Sequence, residues 1–370
     1  MKILVIRYRF IGDTVLTIPF LRNLRKAYPK AQIDMLVGPV SGDVLLDCPY
    51  IDNLIYFDTT KKHKYENTGE QKKNFFSYVK LLRQTKYDKA FVLKRSFSSA
   101  ALAFLAGIKE RIGFNTEGRG FLLTKRILYV KNRHEIECFL DVLKADGISA
   151  RDNHLENWIS PKSEEKIQDI MSNYDLSEKQ KVLIHATSGN INKQWSIENF
   201  AKVIEYLSNE KNTQVFFTGT AKDSDVYDKI LNLINTELQN KPINLCGELS
   251  IQDSTALINK MDFVVGCDSG TLHIAASLNV PVIGIYGPMN PKKWSAWGEI
   301  HRPIYLDLPC IPCELRVKCD KNYACIKNIT PEMVIKEVED FFCHSERSEE
   351  SVQHQIDTTH PADDCIGNST

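Results

Sequence analysis

Residues 263–288, FVVGCDSGTLHIAASLNVPVIGIYGP, hold the punctuation from which the fold can be read. An apolar run, Phe263 to Val265, stops at Cys-Asp-Ser-Gly. Thr271 then opens a short helix of small residues (Ile274, Ala275, Ala276, Leu278), Asn279 ends it, and Pro281 to Tyr286 reads as a second buried strand. The unit is therefore strand, loop, helix, strand. In open parallel sheets, ligands sit beyond the carboxyl ends of strands, where a loop meets the next helix. Unpaired amides in the first helical turn favour an anion there. Asp268, Ser269, Gly270, Thr271 and His273 all fall on that loop and turn, which makes it a candidate seat for a nucleotide diphosphate.

Working outward, the same alternation recurs on both sides. Met1 to Ile6 reads as a buried strand, Arg7 to Asp13 as a loop, and Thr14 to Tyr28 as a helix with Pro19 near its first turns. Strands follow at Ile33 to Val37, Leu54 to Phe57 and Lys89 to Leu93, with helices near Phe75 to Arg83 and Ser98 to Leu105. Lys109 to Phe114 and Leu122 to Val130 read as the last strand and its approach, and His134 to Ala145 as a closing helix. A second series starts at Lys181 and leads through helices at Ile197 to Asn209, Asp223 to Leu238 and Ile251 to Lys260 to the opening stretch. Such alternation predicts an α/β protein with parallel sheets. The expected organisation is two Rossmann-like domains facing across a cleft: 1–150, a linker over 151–161, and 162–342. The polar, aperiodic residues 343–370 are expected to be a disordered tail. Neither half contains GxGxxG, which argues against a dehydrogenase.

Composition narrows the function. At 370 residues, with 43% apolar and 25% charged residues, the chain is long enough for two cores. Net charge is zero, but residues 1–150 hold 26 Lys and Arg against 15 Asp and Glu, while 151–370 hold 21 against 32. This split suggests that the first half faces an anionic partner. No nucleic-acid motif accompanies the charge, so nucleic acid is not expected. The apolar run at Lys2 to Ile6 is too short for a secretory leader, and no run approaches the roughly 20 residues of a spanning helix. A cytoplasmic location is expected, with a membrane surface open as a partner.

Two further loops carry chemistry. Arg7-Tyr-Arg-Phe-Ile-Gly-Asp-Thr14 lies on the first strand-to-helix turn, where Gly12 permits close approach and Asp13 is either a helix cap or a cleft carboxylate. His185-Ala-Thr-Ser-Gly-Asn-Ile-Asn-Lys-Gln-Trp195 is a polar loop between a strand and a helix.

These motifs resemble those of glycosyltransferase family 9, the bacterial ADP-heptose:lipopolysaccharide heptosyltransferases. D-S-G-T-x-H-x-A-A followed by P-V-I-G-I-Y-G-P looks like the family's donor site, with Asn279 where the family usually has Gly, and the likeness extends over roughly residues 1–340. It implies a glycosyltransferase-B fold and inverting heptosyl transfer from ADP-heptose to the inner core of lipopolysaccharide, at the inner face of the cytoplasmic membrane. I-G-D-x-V-x-T-x-P matches the motif whose Asp is the general base, which gives that role to Asp13. The His185–Trp195 loop resembles the family's phosphate loop: Thr187 and Ser188 would bond phosphate oxygens and Lys193 would neutralise them. Asp268 would hold donor-sugar hydroxyls or ribose, and Asp223 would lie near the nucleoside unless it is a helix cap. His273 is either a satisfied helix histidine or a phosphate ligand. Because helix dipole and lysine replace a metal, no catalytic cofactor is expected. An anionic glycolipid acceptor suits the basic first half, and Arg7, Arg9, Lys61, Lys62, Lys64 and Arg119 are candidates on charge alone.

Cys310, Cys313, Cys319 and Cys325 form C-x2-C-x5-C-x5-C. Similar clusters recur near the C-terminus of family members, followed by I-x-P-x-x-V, here Ile329 to Val334. Structural zinc, labile disulfides and free thiols all fit this spacing. Three other functions share the fold: transfer of another sugar, epimerisation of a nucleotide-sugar, and binding without catalysis.

Overall fold

The structure, a computed structural model, describes residues 1–58 and 74–343. Lys61, Lys62, Lys64 and residues 344–370 therefore lie outside the described residues.

Among the described residues, twelve strands form two sheets of six, parallel throughout. The first contains β1 (Lys2–Ile6), β2 (Gln32–Val37), β3 (Asn53–Tyr56), β4 (Lys89–Val92), β5 (Glu110–Phe114) and β6 (Lys125–Ile127), in the order β3-β2-β1-β4-β5-β6. The second contains β7 (Gln180–His185), β8 (Thr213–Phe217), β9 (Ile243–Asn244), β10 (Phe263–Cys267), β11 (Val282–Ile285) and β12 (Arg302–Ile304), in the order β12-β11-β10-β7-β8-β9. Their apolar runs follow from burial on both faces: Ile3 to Ile6 of β1 and Phe263 to Val265 of β10 are fully buried. The order of strand addition reverses between the central strands of each sheet, at β1/β4 and at β10/β7, the points where open α/β sheets bind ligands.

The helices are α1 (Ile11–Val15), α2 (Ile18–Ala27), α3 (Phe75–Thr85), α4 (Phe97–Leu105), α5 (Glu135–Ala145), α6 (Pro161–Ser172), α7 (Ile197–Glu210), α8 (Ala221–Leu231), α9 (Ile251–Ile258), α10 (Gly270–Ser277), α11 (Pro291–Trp294) and α12 (Ala324–Lys327). One more helix covers 331–343. The single helix expected over 14–28 is two, and it begins earlier, at Ile11. Pro19 has no N–H to give the carbonyl of Val15, so the chain restarts as a new helix with proline in its first turn. Asp13 thus sits inside the first turn of α1, not in a loop before it.

The segment expected as a linker is irregular up to Ser160, but it is tied to the first domain. Buried Arg22 donates to Asp152 and Glu156, each at 2.6 Å, and to the carbonyl of His154 at 2.9 Å. Asn23 donates to the Asp152 carbonyl and Tyr50 to Glu156, both at 2.7 Å. A continuous apolar core joins the two halves, running from Val15 and Phe20 to Leu272 and Ala275.

Candidate active site

The site lies where α1 meets α10. Two glycines allow this contact. A Cβ on Gly12 would stand 2.4 Å from Cδ2 of His273, and one on Gly270 would stand 2.8 Å from Cβ and Cγ2 of Ile11. Gly12 therefore serves close approach between the two halves, as its sequence context suggested.

On the first-domain side, Asp13 is held at both oxygens. Oδ1 is ion-paired with Arg7, and Oδ2 accepts from the amide of Phe10 at 2.9 Å. Both side chains of the pair are nearly buried. A carboxylate has about four acceptor positions, so capacity remains toward the cleft. Asp13 is thus a helix-cap carboxylate that lies where the two halves meet.

Across the cleft, Asp268 follows β10 and its buried carboxylate bonds Lys193 Nζ at 2.8 Å. Burial raises its pKa, the negative charge of Asp13 adds to the rise, and Lys193 opposes it. Lys193 ends a 3-10 turn, Ile191–Lys193, in the loop after β7. Ser188 Oγ donates to the Asp268 carbonyl at 2.9 Å, which seats that loop on the β10 loop, and Thr187 is buried beside it. Trp195 anchors the far end through its amide to Cys267 Sγ (3.2 Å) and its indole N–H to Ile329 O (2.8 Å). Ser269 is the N-cap of α10, yet its buried Oγ has no partner and the first turn holds no acidic residue. Gly270 and Thr271 open that helix, so its N-terminal amides face the same space as Asp13, Lys193 and Asp268.

His273 is fully buried against Gly12, and its Nδ1 has no partner. Burial, aided by nearby His134, lowers its pKa to about 3, so it meets any phosphate as a neutral ring. His134 and His301 are likewise buried and lowered to about 4, chiefly by burial. His134 bridges the halves: its Nε2 donates to Ser295 O at 3.0 Å, and its Nδ1 accepts from Ile136 N at 3.4 Å. A histidine with a depressed folded pKa binds protons more readily when unfolded, so stability falls as pH drops below about 6.5. Each of the three is expected to remove roughly 2 kcal/mol by about pH 5. Asp152 and Asp253, lowered to about 2, give up stability only at lower pH, below their ordinary value of 3.8. Thermal midpoints measured between about pH 7 and 5 are expected to fall steeply, and His134→Gln to flatten the slope.

One expected site residue, Arg119, belongs elsewhere, and another, Asp223, is a helix cap. Arg119 is fully buried and donates to Phe114 O (3.0 Å), Ser96 O (3.1 Å) and Ser99 Oγ (3.0 Å), and to Lys94 O. It is an internal strut between β5 and the loop after β4, and no acceptor can reach it. Asp223 caps α8, accepting from Thr220 N at 2.8 Å and from Thr220 Oγ1 at 2.7 Å. Arg9 follows the end of β1 at a positive φ of 66°. The nine described cysteines are free, with Cys310, Cys313, Cys319 and Cys325 among them. Burial raises the Cys325 thiol, followed by the charges of the other three, yet among the described residues no set of three or more His, Cys, Asp or Glu side chains is arranged to hold a metal.

Lys94 and Arg95, at the carboxyl end of β4, went unnoticed in the sequence. Burial and then the charge of Arg7 lower the Lys94 pKa to about 8, with Arg9 and Arg95 adding to the effect. Arg95 lies 3.5 Å from buried Glu135 and 3.9 Å from the Tyr129 ring centroid. Their place beyond a central strand was the available signal.

Comparison with known proteins identifies the family. The chain is 29% identical over 346 residues to lipopolysaccharide heptosyltransferase 2 of Escherichia coli (strain K12), covering 91% of this chain and 97% of that one. It is 28% identical to the Salmonella typhimurium protein of the same name, covering 95% and 100%. The structure of E. coli ADP-heptose lps heptosyltransferase II superposes with a TM-score of 0.75 at 26% identity, covering 94% of this chain and all of that one. A glycosyltransferase family 9 structure from Veillonella parvula gives a TM-score of 0.77 at 24% identity, covering 93% and 97%. The architecture is the glycosyltransferase-B fold. The sequence model described as "Glycosyltransferase family 9 (heptosyltransferase)" matches residues 75–324, and the chain is a member of that family.

Proposed function

We propose that the protein transfers a heptosyl group from ADP-heptose to the inner core of lipopolysaccharide, with inversion and without a metal. One observation carries the reading: α1 packs on α10, so Asp13 lies close enough to Asp268 for its charge to act on that carboxylate, beside Lys193 and the first turn of α10. The acceptor hydroxyl attacks the anomeric carbon from the face opposite the diphosphate and gives its proton to Asp13. The carbon–oxygen bond to ADP breaks, and ADP leaves with the bonding pair. Asp13 is worth roughly 10² to 10⁴ in rate as base. No carboxylic acid is needed on the leaving side, because the diphosphate is already a good leaving group and its charge meets Lys193, Ser188, Thr187 and the α10 amides. Asp268 and Lys193 are placed to hold donor hydroxyls and phosphate in turn, exchanging their mutual ion pair for ligand contacts. The names of the similar proteins support both donor and acceptor class.

The acceptor side belongs to the first domain, with Arg7 and Arg9 near the base. The protein then works in the cytoplasm at the inner membrane surface, and no described helix is long and apolar enough to cross a membrane. The test is a transfer assay with ADP-heptose and de-acylated core in the presence of EDTA, with the new linkage read by the anomeric proton coupling. An inverted linkage formed in EDTA supports the reading. Retention, or activity abolished by EDTA, removes the mechanism, and donor consumed with no acceptor present points to an epimerase.

A further inference from the structure

Helix α4 has the sequence FSSAALAFL, without one charged residue. Its Ser99, Ala100, Leu102 and Ala103 are buried. Phe97, Ala101, Phe104 and Leu105 repeat at i, i+4, i+7 and i+8 and so align along the opposite face. On that face Phe97 and Phe104 are each 47% exposed. Phe121, 67% exposed on the 3-10 turn Arg119–Leu122, extends the stripe, its ring centroid 6.2 Å from that of Phe97. A helix that borders water ordinarily presents charged residues there, and a run of exposed rings marks an interaction surface.

The surrounding charge is predominantly positive, although Glu117 accepts from the Phe97 amide at 3.2 Å. Residues 75–126 hold eleven Lys and Arg against three acids, Asp88, Glu110 and Glu117. Two of the cations, Lys89 and Arg119, are buried, and Arg83 and Arg111 border the stripe. The Arg111 guanidinium lies 5.2 Å from the Phe104 ring centroid, and Arg83 donates to Leu105 O at 2.5 Å. A second copy of the chain seated on this face would bring two strongly basic surfaces together, which repel.

We propose that this aromatic, basic face docks the protein on an anionic lipid bilayer. Rings enter the boundary between headgroups and acyl chains, while Lys and Arg meet lipid phosphates. The face lies at the cleft mouth: Ser96, the residue before Phe97, is 3.2 Å from the Tyr8 hydroxyl, beside Arg7 and the Asp13 turn. Docking there turns Asp13 toward saccharide that rises from the membrane. This inference rests on the reading of a glycolipid acceptor.

The experiment sediments the full chain with vesicles of phosphatidylglycerol and phosphatidylethanolamine, and with phosphatidylcholine vesicles as control. Wild type is expected to bind the anionic vesicles alone and to be released in roughly 0.5 M salt. The double variant Phe97→Ser, Phe121→Ser is expected to lower the partition coefficient about tenfold or more, with an unchanged thermal midpoint and oligomeric state. No wild-type binding, or equal binding by the variant, overturns the proposal. So does a variant that dissociates an oligomer without changing vesicle binding. Transfer to de-acylated core in solution separates the two readings. Intact transfer with lost docking spares the catalytic assignment, and docking without transfer spares the membrane face.

Discussion

Asp13→Asn is expected to lower kcat for heptosyl transfer by roughly 10² to 10⁴, with the Kd for ADP-heptose changed far less. The amide keeps an oxygen to accept from Phe10 N and is close to the carboxylate in shape, but it cannot take a proton from the acceptor. Asp13→Ala is the harsher variant. It leaves Arg7, whose side chain is 5% exposed, as a buried cation without its partner. Removing one member of such a pair typically costs about 3–5 kcal/mol, so the alanine protein is expected to lose stability as well as rate. Single-turnover rates and thermal midpoints of both variants separate chemistry from folding. An asparagine variant within about threefold of wild type would exclude Asp13 as base.

Gly12→Ala is expected to be nearly as damaging to activity, although the added methyl touches no substrate. The new Cβ would stand 2.4 Å from the ring of His273, and that ring is buried. Overpacking of this kind costs roughly 1–3 kcal/mol. The larger consequence is geometric. If α1 and α10 move apart by about 1 Å, Asp13 leaves the donor, and a misplacement of that size costs on the order of 10² in rate. Gly270→Ala should act the same way through Ile11. Activity at saturating substrate and the radius of gyration in solution test this, because a loss of rate without expansion or destabilisation would place the cause elsewhere.

Much of this region was legible because parallel strands buried on both faces read as apolar runs, and ligands bind just beyond them. Asp13, Lys193 and Asp268 stood out by that position, and the resemblance to the family supplied their expected roles. Secondary structure was lost where the signal was short or diluted. β12 is only Arg302–Ile304, and α6 carries just Ile167, Ile170 and Met171 among charged neighbours, although Ser160-Pro161 marks its start. Arg119 was misplaced because charge says nothing about depth: four hydrogen bonds to carbonyls and a hydroxyl make an arginine tolerable inside. The contact of Gly12 with His273 joins residues 261 positions apart in the chain, and no local pattern records it.

The segment between the domains has a mechanical consequence. With Asp152, His154 and Glu156 clamped by Arg22, this stretch moves with the first domain as part of its body. Asn157 and Trp158 are also engaged, through Ser277 Oγ at 3.3 Å and the Tyr50 ring at 5.7 Å. Free torsion is confined to the backbone around Ile159 and Ser160, because proline fixes φ at residue 161. A change in the angle between the two halves would draw its rotation from that short stretch and would break the bond of Asn157 to Ser277 in the second half.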